Sequence, residues 1–228
     1  MKAVCLIPAR GGSKRLPRKN VADFLGKPII AYTIDAALSS QLFERVVVST
    51  EDEEIAETAA RLGAVIHKRP PHLAQDSARI IHVCLDFLDD EERHGRPYDL
   101  LGCLLATAPM RNAQDIRNVF RLIEPGRCDF AMAVTTYDMP PLQALREDKD
   151  GSLVPMWPDL VNVRSQKAPE LCVDNGSTYF ATVAAFRAQQ TFYARGLRGY
   201  PMPRGRSVDI DEPVDLELAR FWAQKLGL

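Results

Sequence analysis

Short apolar and β-branched runs alternating with helical patterns constrain this chain more than any other feature. Ala3 to Ile7, Val46 to Ser49, Ala64 to Ile66, Leu100 to Leu105 and Phe130 to Thr135 lack a clean in–out alternation, as expected of strands covered on both faces. Helical patterns lie between them. Pro28 suits the first turn of a helix that puts Ile30, Ile34, Ala37 and Leu38 on one face. Thr50 to Gly63 reads as capped, acid-started and glycine-ended, and Ser77 to Glu92 and Asn112 to Ile123 complete the set. This rhythm predicts an α/β fold with a doubly wound, mostly parallel sheet, whose ligand crevice lies beyond the carboxyl ends of the strands. A chain of 228 residues, 46% of them hydrophobic, is long enough to bury the core such a sheet needs.

From about Tyr137 the rhythm changes. MPPLQALREDKDGSLVPMWPDL is rich in proline, charge and turn residues, and no long helical stripe fits it, so Tyr137 to Cys172 reads as an inserted arm, either a lid or a dimerisation element. Regular structure is expected again at Ser177 to Thr182 and Arg206 to Ile210. A closing helix from Pro213 to Leu226 is expected to pack Val214, Leu218, Phe221, Trp222 and Leu226 on the core.

The loop that leaves the first strand, PARGGSKRLPRKN, carries five cations and two adjacent glycines, and no acid precedes Asp23. Gly11 and Gly12 permit close approach of backbone N–H groups to an anion, while Arg10, Lys14, Arg18 and Lys19 offer charge-assisted contacts to phosphate oxygens. The bland alternative is a solvated basic turn. The spacing matches neither the P-loop nor the dinucleotide fingerprint. A formal net charge of -1 over the whole chain argues against a nucleic-acid binder and favours a small anionic ligand. Cys5, Cys84, Cys103, Cys128 and Cys172 are far apart, without the spacing of a zinc site or disulfide framework, and read as reduced core residues of a cytoplasmic protein. The opening run is too short for a signal peptide or a membrane span, so no membrane partner is expected.

In VDIDEP, Asp209 and Asp211 alternate around Ile210, which in an extended segment turns both carboxylates to one side. Two hard oxygen ligands suit magnesium, which completes its shell with water and substrate phosphates. Asp211 could instead simply begin the last helix. In RPPHLAQDSA, Arg69 and the Asp76-Ser77 pair bracket a helix start, where Asp76 or Ser77 serves as an N-cap in the structural reading. NVRSQ (Asn162 to Gln166) and DNGSTYF (Asp174 to Phe180) gather amides, hydroxyls and one arginine suited to a polyhydroxylated carboxylated ligand, although turns also use such residues. His67, His72, His82 and His94 have no ligand spacing.

Taken in order, PARGGSKRLPRKN, GKPIIAYTI, VVVSTEDEEIA, RPPHLAQDSA, LLATAPMR, NVRSQ, DNGSTYF and VDIDEPVDLELA resemble the acylneuraminate cytidylyltransferase family over nearly the whole chain. The resemblance implies a Rossmann-like nucleotidyltransferase, a single domain over 1–228 with a dimerisation arm at 137–172. It would couple CTP to a nine-carbon α-keto sugar acid (a nonulosonic acid), releasing pyrophosphate, with Mg2+ as cofactor and a homodimer as its assembly. It implies that Arg10, Gly11, Gly12, Ser13, Lys14, Lys19, Asn20, Arg69 and Ser77 line the nucleotide pocket. By the same resemblance Arg10, Lys19 and Asp211 are the catalytic set, Asp209 and Asp211 hold the metal, and Thr107, Arg164, Gln166, Asn175 and Tyr179 meet the acceptor. Where sialic acid activators carry Gln-Pro-Thr-Ser-Pro, this chain has Leu105, Ala106, Thr107, Ala108 and Pro109, a version that looks more like the pseudaminic acid cytidylyltransferases. N-acetylneuraminic and legionaminic acids are the alternative acceptors. Two other classes stay open: a nucleotidyltransferase for a sugar-1-phosphate, and a nucleotide-binding regulatory domain.

Overall fold

The structure, a computed structural model, describes residues 1–137, 139 and 141–228. In chain order the elements are β1 (Ala3–Pro8), β2 (Asp23–Phe24), β3 (Lys27–Pro28), α1 (Ile29–Ser40), β4 (Arg45–Thr50), α2 (Glu53–Arg61), β5 (Val65–Lys68), α3 (Ile80–Arg93), β6 (Leu100–Leu104), α4 (Ala113–Phe120) and β7 (Phe130–Thr136). There follow β8 (Leu145–Glu147), β9 (Leu153–Pro155), β10 (Cys172–Thr182), α5 (Val183–Gln189), β11 (Arg198–Pro201) and α6 (Pro213–Leu226).

The main sheet has seven strands in the order β11-β7-β10-β6-β1-β4-β5. β1 pairs parallel with β4 and with β6, β4 with β5, and β11 with β7; β10 runs antiparallel between β6 and β7. The chain leaves β1 toward β4 and β5 and then returns to its other side at β6, so the strand order reverses beside β1 and opens a crevice at the carboxyl ends there. Both the basic loop, after β1, and the Leu105–Pro109 turn, after β6, emerge at that crevice.

Successive residues of β1 serve opposite layers, which is why the sheet strands read as unbroken apolar runs. Ala3, Cys5 and Ile7 join the core under α1, α2 and α4, with Ile34, Ile55 and Ile116. Val4 and Leu6 join the core under α3 and α5, with Phe87 and Phe186. Each fully buried side chain of this size stabilises by roughly 1.5–3 kcal/mol relative to exposure, so the two layers dominate the favourable side of folding. The helix starts use local chemistry: Asp52 caps α2 by accepting from Ile55 N at 3.0 Å, and Asn112 with Asp115 forms a reciprocal capping box on α4.

Four expectations need correction. Arg206 to Ile210 forms no strand; a short 3-10 turn, Arg204–Arg206, leads into an irregular segment, and the nearby strand is instead Arg198–Pro201, an edge strand on β7. Of the stripe on α6 only Trp222 packs on the core: Val214 is 64% and Phe221 55% exposed, Leu218 and Leu226 are exposed too, whereas Ala219 and Ala223 are fully buried. Small residues win that seat because they let the helix approach closely; a Cβ on Gly205 would lie 2.8 Å from the Trp222 ring. Neither Asp76 nor Ser77 caps α3, since the N-cap position falls at Arg79 with no side-chain cap. Cys172 is exposed, unlike the other four cysteines, which are buried and free.

The arm leaves after β7 and re-enters through β10, whose first residues pair back on β7 (Cys172 with Thr136, Val173 with Thr135). It contains the antiparallel β8–β9 hairpin and short 3-10 turns, in keeping with its lack of a helical stripe; Asp138 and Pro140 lie outside the described residues. No helix is long and apolar enough to cross a membrane among the described residues.

Candidate active site

The basic loop is fastened at several points. Ala9 N donates to Ser49 O at 3.0 Å, extending the sheet, and the buried Asn20 side chain donates to Arg10 O at 2.9 Å, closing the loop on itself. Gly11 N–H donates to Glu51 Oε1 at 2.8 Å rather than facing open space. A Cβ at Gly11 would lie 2.5 Å from Asp52 Oδ2, so glycine is required here for close packing against α2.

The loop forms one wall of a cleft of about 300 Å³ lined by Arg10, Ser13, Lys14, Arg15, Lys19, Asn20, Arg69, Asp76, Leu105, Thr107, Asp209 and Asp211, among others. Its cations are paired with acids. Arg10 Nη1 lies 2.6 Å from Asp76 Oδ1, Lys14 contacts the other oxygen of Asp76, and these two cations hold the Asp76 carboxyl below its ordinary range. Lys19 Nζ is 2.6 Å from Asp211 Oδ1, and Arg15 reaches both Asp211 and Glu212. Arg18 turns away to Asp52 and Glu54. The Arg69 guanidinium is buried, donates to Ser49 O at 2.7 Å, and is pushed below its ordinary pKa by that burial.

The opposite wall carries the two carboxylates. Without a strand to hold it, this segment is fixed by Ile210: its N donates to Thr107 O at 2.9 Å and its side chain is buried against Phe24, Ile29 and Ala219. Asp215 caps the following helix and accepts from Asp211 N at 2.9 Å and Glu212 N at 2.8 Å. The alternation expected from VDIDEP survives, since Asp209 and Asp211 both line the cleft while Ile210 points into the core. Burial raises the Asp209 carboxyl, partly offset by a hydrogen bond from Thr107, and its Oδ1 is buried with no hydrogen-bond partner. Burial also acts on Asp211, but Lys19 and Arg15 outweigh it and lower that carboxyl. An orphaned buried carboxylate oxygen beside a second, ionised carboxylate fits a hard divalent cation. Among the described residues no group of three His, Cys, Asp or Glu could hold a metal, so an all-protein cage is not present and the pair suits an ion that keeps water or phosphate ligands.

A second, wider cleft of about 820 Å³ adjoins the first; Leu105 and Asp209 line both. Tyr179 lines it and donates to Asp174 Oδ2 at 2.8 Å, and Tyr193 donates to the same oxygen. Asn175 also lines it, but its amide is spent internally: Nδ2 donates to Ser207 Oγ at 3.2 Å and Oδ1 accepts from Ser177. Gly176, at φ 67° in an irregular stretch of β10, packs directly on the Asp209 carboxylate.

Of the residues singled out from sequence, Arg10, Ser13, Lys14, Lys19, Asn20, Arg69, Thr107, Asp209 and Asp211 meet in the first cleft, and Asn175 and Tyr179 in the second. Ser77 is exposed and lines neither, Gly11 packs on Asp52 and the exposed Gly12 lines neither cleft, and Arg164 and Gln166 are exposed in the arm, away from both clefts of this chain. Sequence reasoning missed the cleft-lining places of Asp76 and Tyr193. Asp76 was read only as a cap, and nothing in the local sequence of Tyr193 marks it.

The mostly parallel sheet with its cation-lined switch-point crevice defines a Rossmann-like nucleotide-binding α/β protein. A family model described as cytidylyltransferase matches residues 4–139. The chain is 35% identical over 222 residues to a pseudaminic acid cytidylyltransferase of Campylobacter jejuni, covering 97% of this chain and 96% of the relative. It is 33% identical over 223 residues to a CMP-N,N'-diacetyllegionaminic acid synthase of Legionella pneumophila, covering 96% and 94%. The fold is shared with a solved CMP:2-keto-3-deoxy-manno-octonic acid synthetase complexed with CTP, at TM-score 0.71 and 20% identity over 99% of this chain and 100% of the other. The chain belongs to the cytidylyltransferase family and is a CTP-dependent nucleotidyltransferase.

Proposed function

We propose that this enzyme couples CTP to a nine-carbon α-keto sugar acid, pseudaminic acid foremost, to give the CMP-sugar and pyrophosphate. The observation that carries the reading is the opposition, across one cleft, of Lys19 and its loop to Asp209 and Asp211, with a wider cleft adjoining at Asp209. The 35% identity to a pseudaminic acid cytidylyltransferase over nearly the full chain supports the choice of acceptor, as does Leu105 where sialic acid activators carry a glutamine.

In this reading Arg10, Ser13, Lys14, Lys19, Asn20 and Arg69 bind and orient the triphosphate and part of the cytidine. The anomeric hydroxyl of the acceptor attacks the α-phosphorus in line, its proton passing to water in the cleft as the bond to the departing pyrophosphate breaks. Lys19 and Arg10 stabilise negative charge on the α-phosphate and the departing group, so most of the acceleration is placement and electrostatics. Asp209 and Asp211 would hold Mg2+, which when bound supplies charge neutralisation at the reacting phosphate. Thr107, with its hydroxyl on Asp209, and Tyr179, in the wider cleft, would meet the acceptor. Arg164 and Gln166 stand on the arm, and the homodimer, with the arm as its contact, is the arrangement in which they would reach a cleft. The enzyme would work in the cytoplasm.

Incubation with CTP, Mg2+ and a panel of pseudaminic, legionaminic and N-acetylneuraminic acids, with a sugar-1-phosphate as control, tests this by the mass of the CMP-linked product. CMP-pseudaminate formed fastest is the expected result. Turnover of the sugar-1-phosphate alone, or CTP binding without pyrophosphate release, would replace the proposal.

A further inference from the structure

The segment that carries Asp209 and Asp211 belongs to no strand, yet both carboxylates must keep a fixed separation if they are to share one cation. Its carboxyl side is held by Asp215 and by the Ile210 N–H on Thr107 O. On its amino side stands Arg206, whose Nη1 and Nη2 donate to the two oxygens of Asp115 at 2.8 and 2.9 Å. Asp115 is 2% exposed, and the Arg206 side chain 19%. A two-pronged guanidinium–carboxylate pair of this burial fixes direction as well as distance. Asp115 is itself immobilised: its Oδ2 accepts from Asn112 N at 3.0 Å in the capping box of α4, and Tyr200 closes the site at 3.4 Å from Oδ1. From Arg206 the chain passes through Ser207, whose hydroxyl is held by Pro203 O at 3.0 Å and by Asn175, straight to buried Val208 and then Asp209.

We propose that Arg206 and Asp115 are positioning residues that register the Asp209–Asp211 segment on α4 and so set its affinity for the divalent cation. The proposal rests on the reading that these two carboxylates bind the metal. Neither residue lines either cleft, so any effect on the ion must travel through the segment they anchor. Side chains that hold metal ligands in place typically change metal affinity about 10- to 100-fold when altered.

The test measures Mn2+ binding by the loss of its free electron-paramagnetic-resonance signal, with an α,β-methylene analogue of CTP present, in wild type, Arg206→Lys, Arg206→Met and Asp115→Asn. Binding of the analogue without metal is measured by calorimetry, and folding by circular dichroism. Arg206→Met is expected to weaken Mn2+ binding about tenfold or more while analogue affinity stays within about twofold, with Arg206→Lys between it and wild type. If Arg206→Met does not fold, Arg206→Lys, which keeps the charge but not the two-pronged contact, decides alone. Folded Arg206 variants that bind Mn2+ like wild type, with only a lower melting temperature, would reduce the pair to a structural role and overturn the proposal. Asp209→Asn and Asp211→Asn separate the two levels. If they too bind Mn2+ like wild type, the metal reading itself falls; if they lose it while the Arg206 variants do not, only the positioning proposal falls.

Discussion

Lys19 Nζ lies 2.6 Å from Asp211 Oδ1, joining residues 192 positions apart across the mouth of the nucleotide cleft. This contact brings the loop after the first strand and the segment before the last helix together at one cleft, where in the proposed reaction both would act on the transferring phosphate. Replacing Lys19 or Asp211 with alanine is expected to leave a folded protein whose kcat falls about a hundredfold or more, since each change removes charge aimed at the transferring group. Pyrophosphate release at saturating CTP and acceptor checks it, and near-full turnover in either variant would refute the assignment.

Gly176 combines a positive φ of 67° with a Cβ direction that ends 2.6 Å from Asp209 Oδ2. Gly176→Ala is therefore expected to destabilise the protein by about 1–2 kcal/mol through backbone strain and to displace the Asp209 carboxylate. Urea denaturation gives the first quantity and Mg2+-dependent turnover the second. Unchanged metal dependence would show that Asp209 relaxes without loss.

Leu105 lines both clefts and, by the resemblance of its segment, stands where sialic acid activators carry a glutamine. Leu105→Gln is expected to raise the ratio of kcat/KM for N-acetylneuraminic over pseudaminic acid by up to about tenfold, the scale of one added hydrogen bond. A ratio unmoved by the substitution would place acceptor choice elsewhere in the wider cleft.

Far from the cleft, Glu91 is buried and receives Arg96 at 2.9 Å on each oxygen, along with Arg45 and Tyr98. Burial alone would raise its carboxyl, but Arg96 and Arg45 outweigh it and hold the group at about 2, below the ordinary 4.5. Its contribution is thus fully present above pH 4.5 and is lost as pH falls toward 2. On the order of 3 kcal/mol of unfolding free energy should disappear over that window. Glu91→Gln should flatten the acid limb of stability against pH; an identical limb in the variant would assign acid sensitivity to other carboxylates.

Leu153, Met156 and Trp157 stand 61%, 47% and 42% exposed on the arm. Sedimentation is expected to give a dimer that Trp157→Ser shifts toward monomer. A wild-type monomer at working concentration removes the dimer.

Much of the framework could be read directly because it depends on neighbours in the chain. The unbroken apolar runs at β1, β4, β6 and β7 follow from burial on both faces, and the capped start of α2 needs only Asp52 and the N–H of Ile55. The basic loop and the alternation of Asp209 and Asp211 were visible on the same grounds. The edge strand β11, four residues with a proline, has no local signature and exists because β7 offers it a partner. On α6, periodicity named an apolar stripe but not the face that would be buried, and the small residues Ala219 and Ala223 took the core side.

Sequence by itself settled the α/β framework, the cationic turn after the first strand and the two acidic positions near the carboxyl end, because periodicity, turn chemistry and charge act within a few residues. Tertiary structure alone decided which cations face which acids, that Arg164 and Gln166 lie outside the clefts of their own chain, and that Arg206 grips Asp115 across 91 positions. Such contacts are set by how layers pack and where strands end, and no local pattern encodes the distance between two side chains so far apart in the chain.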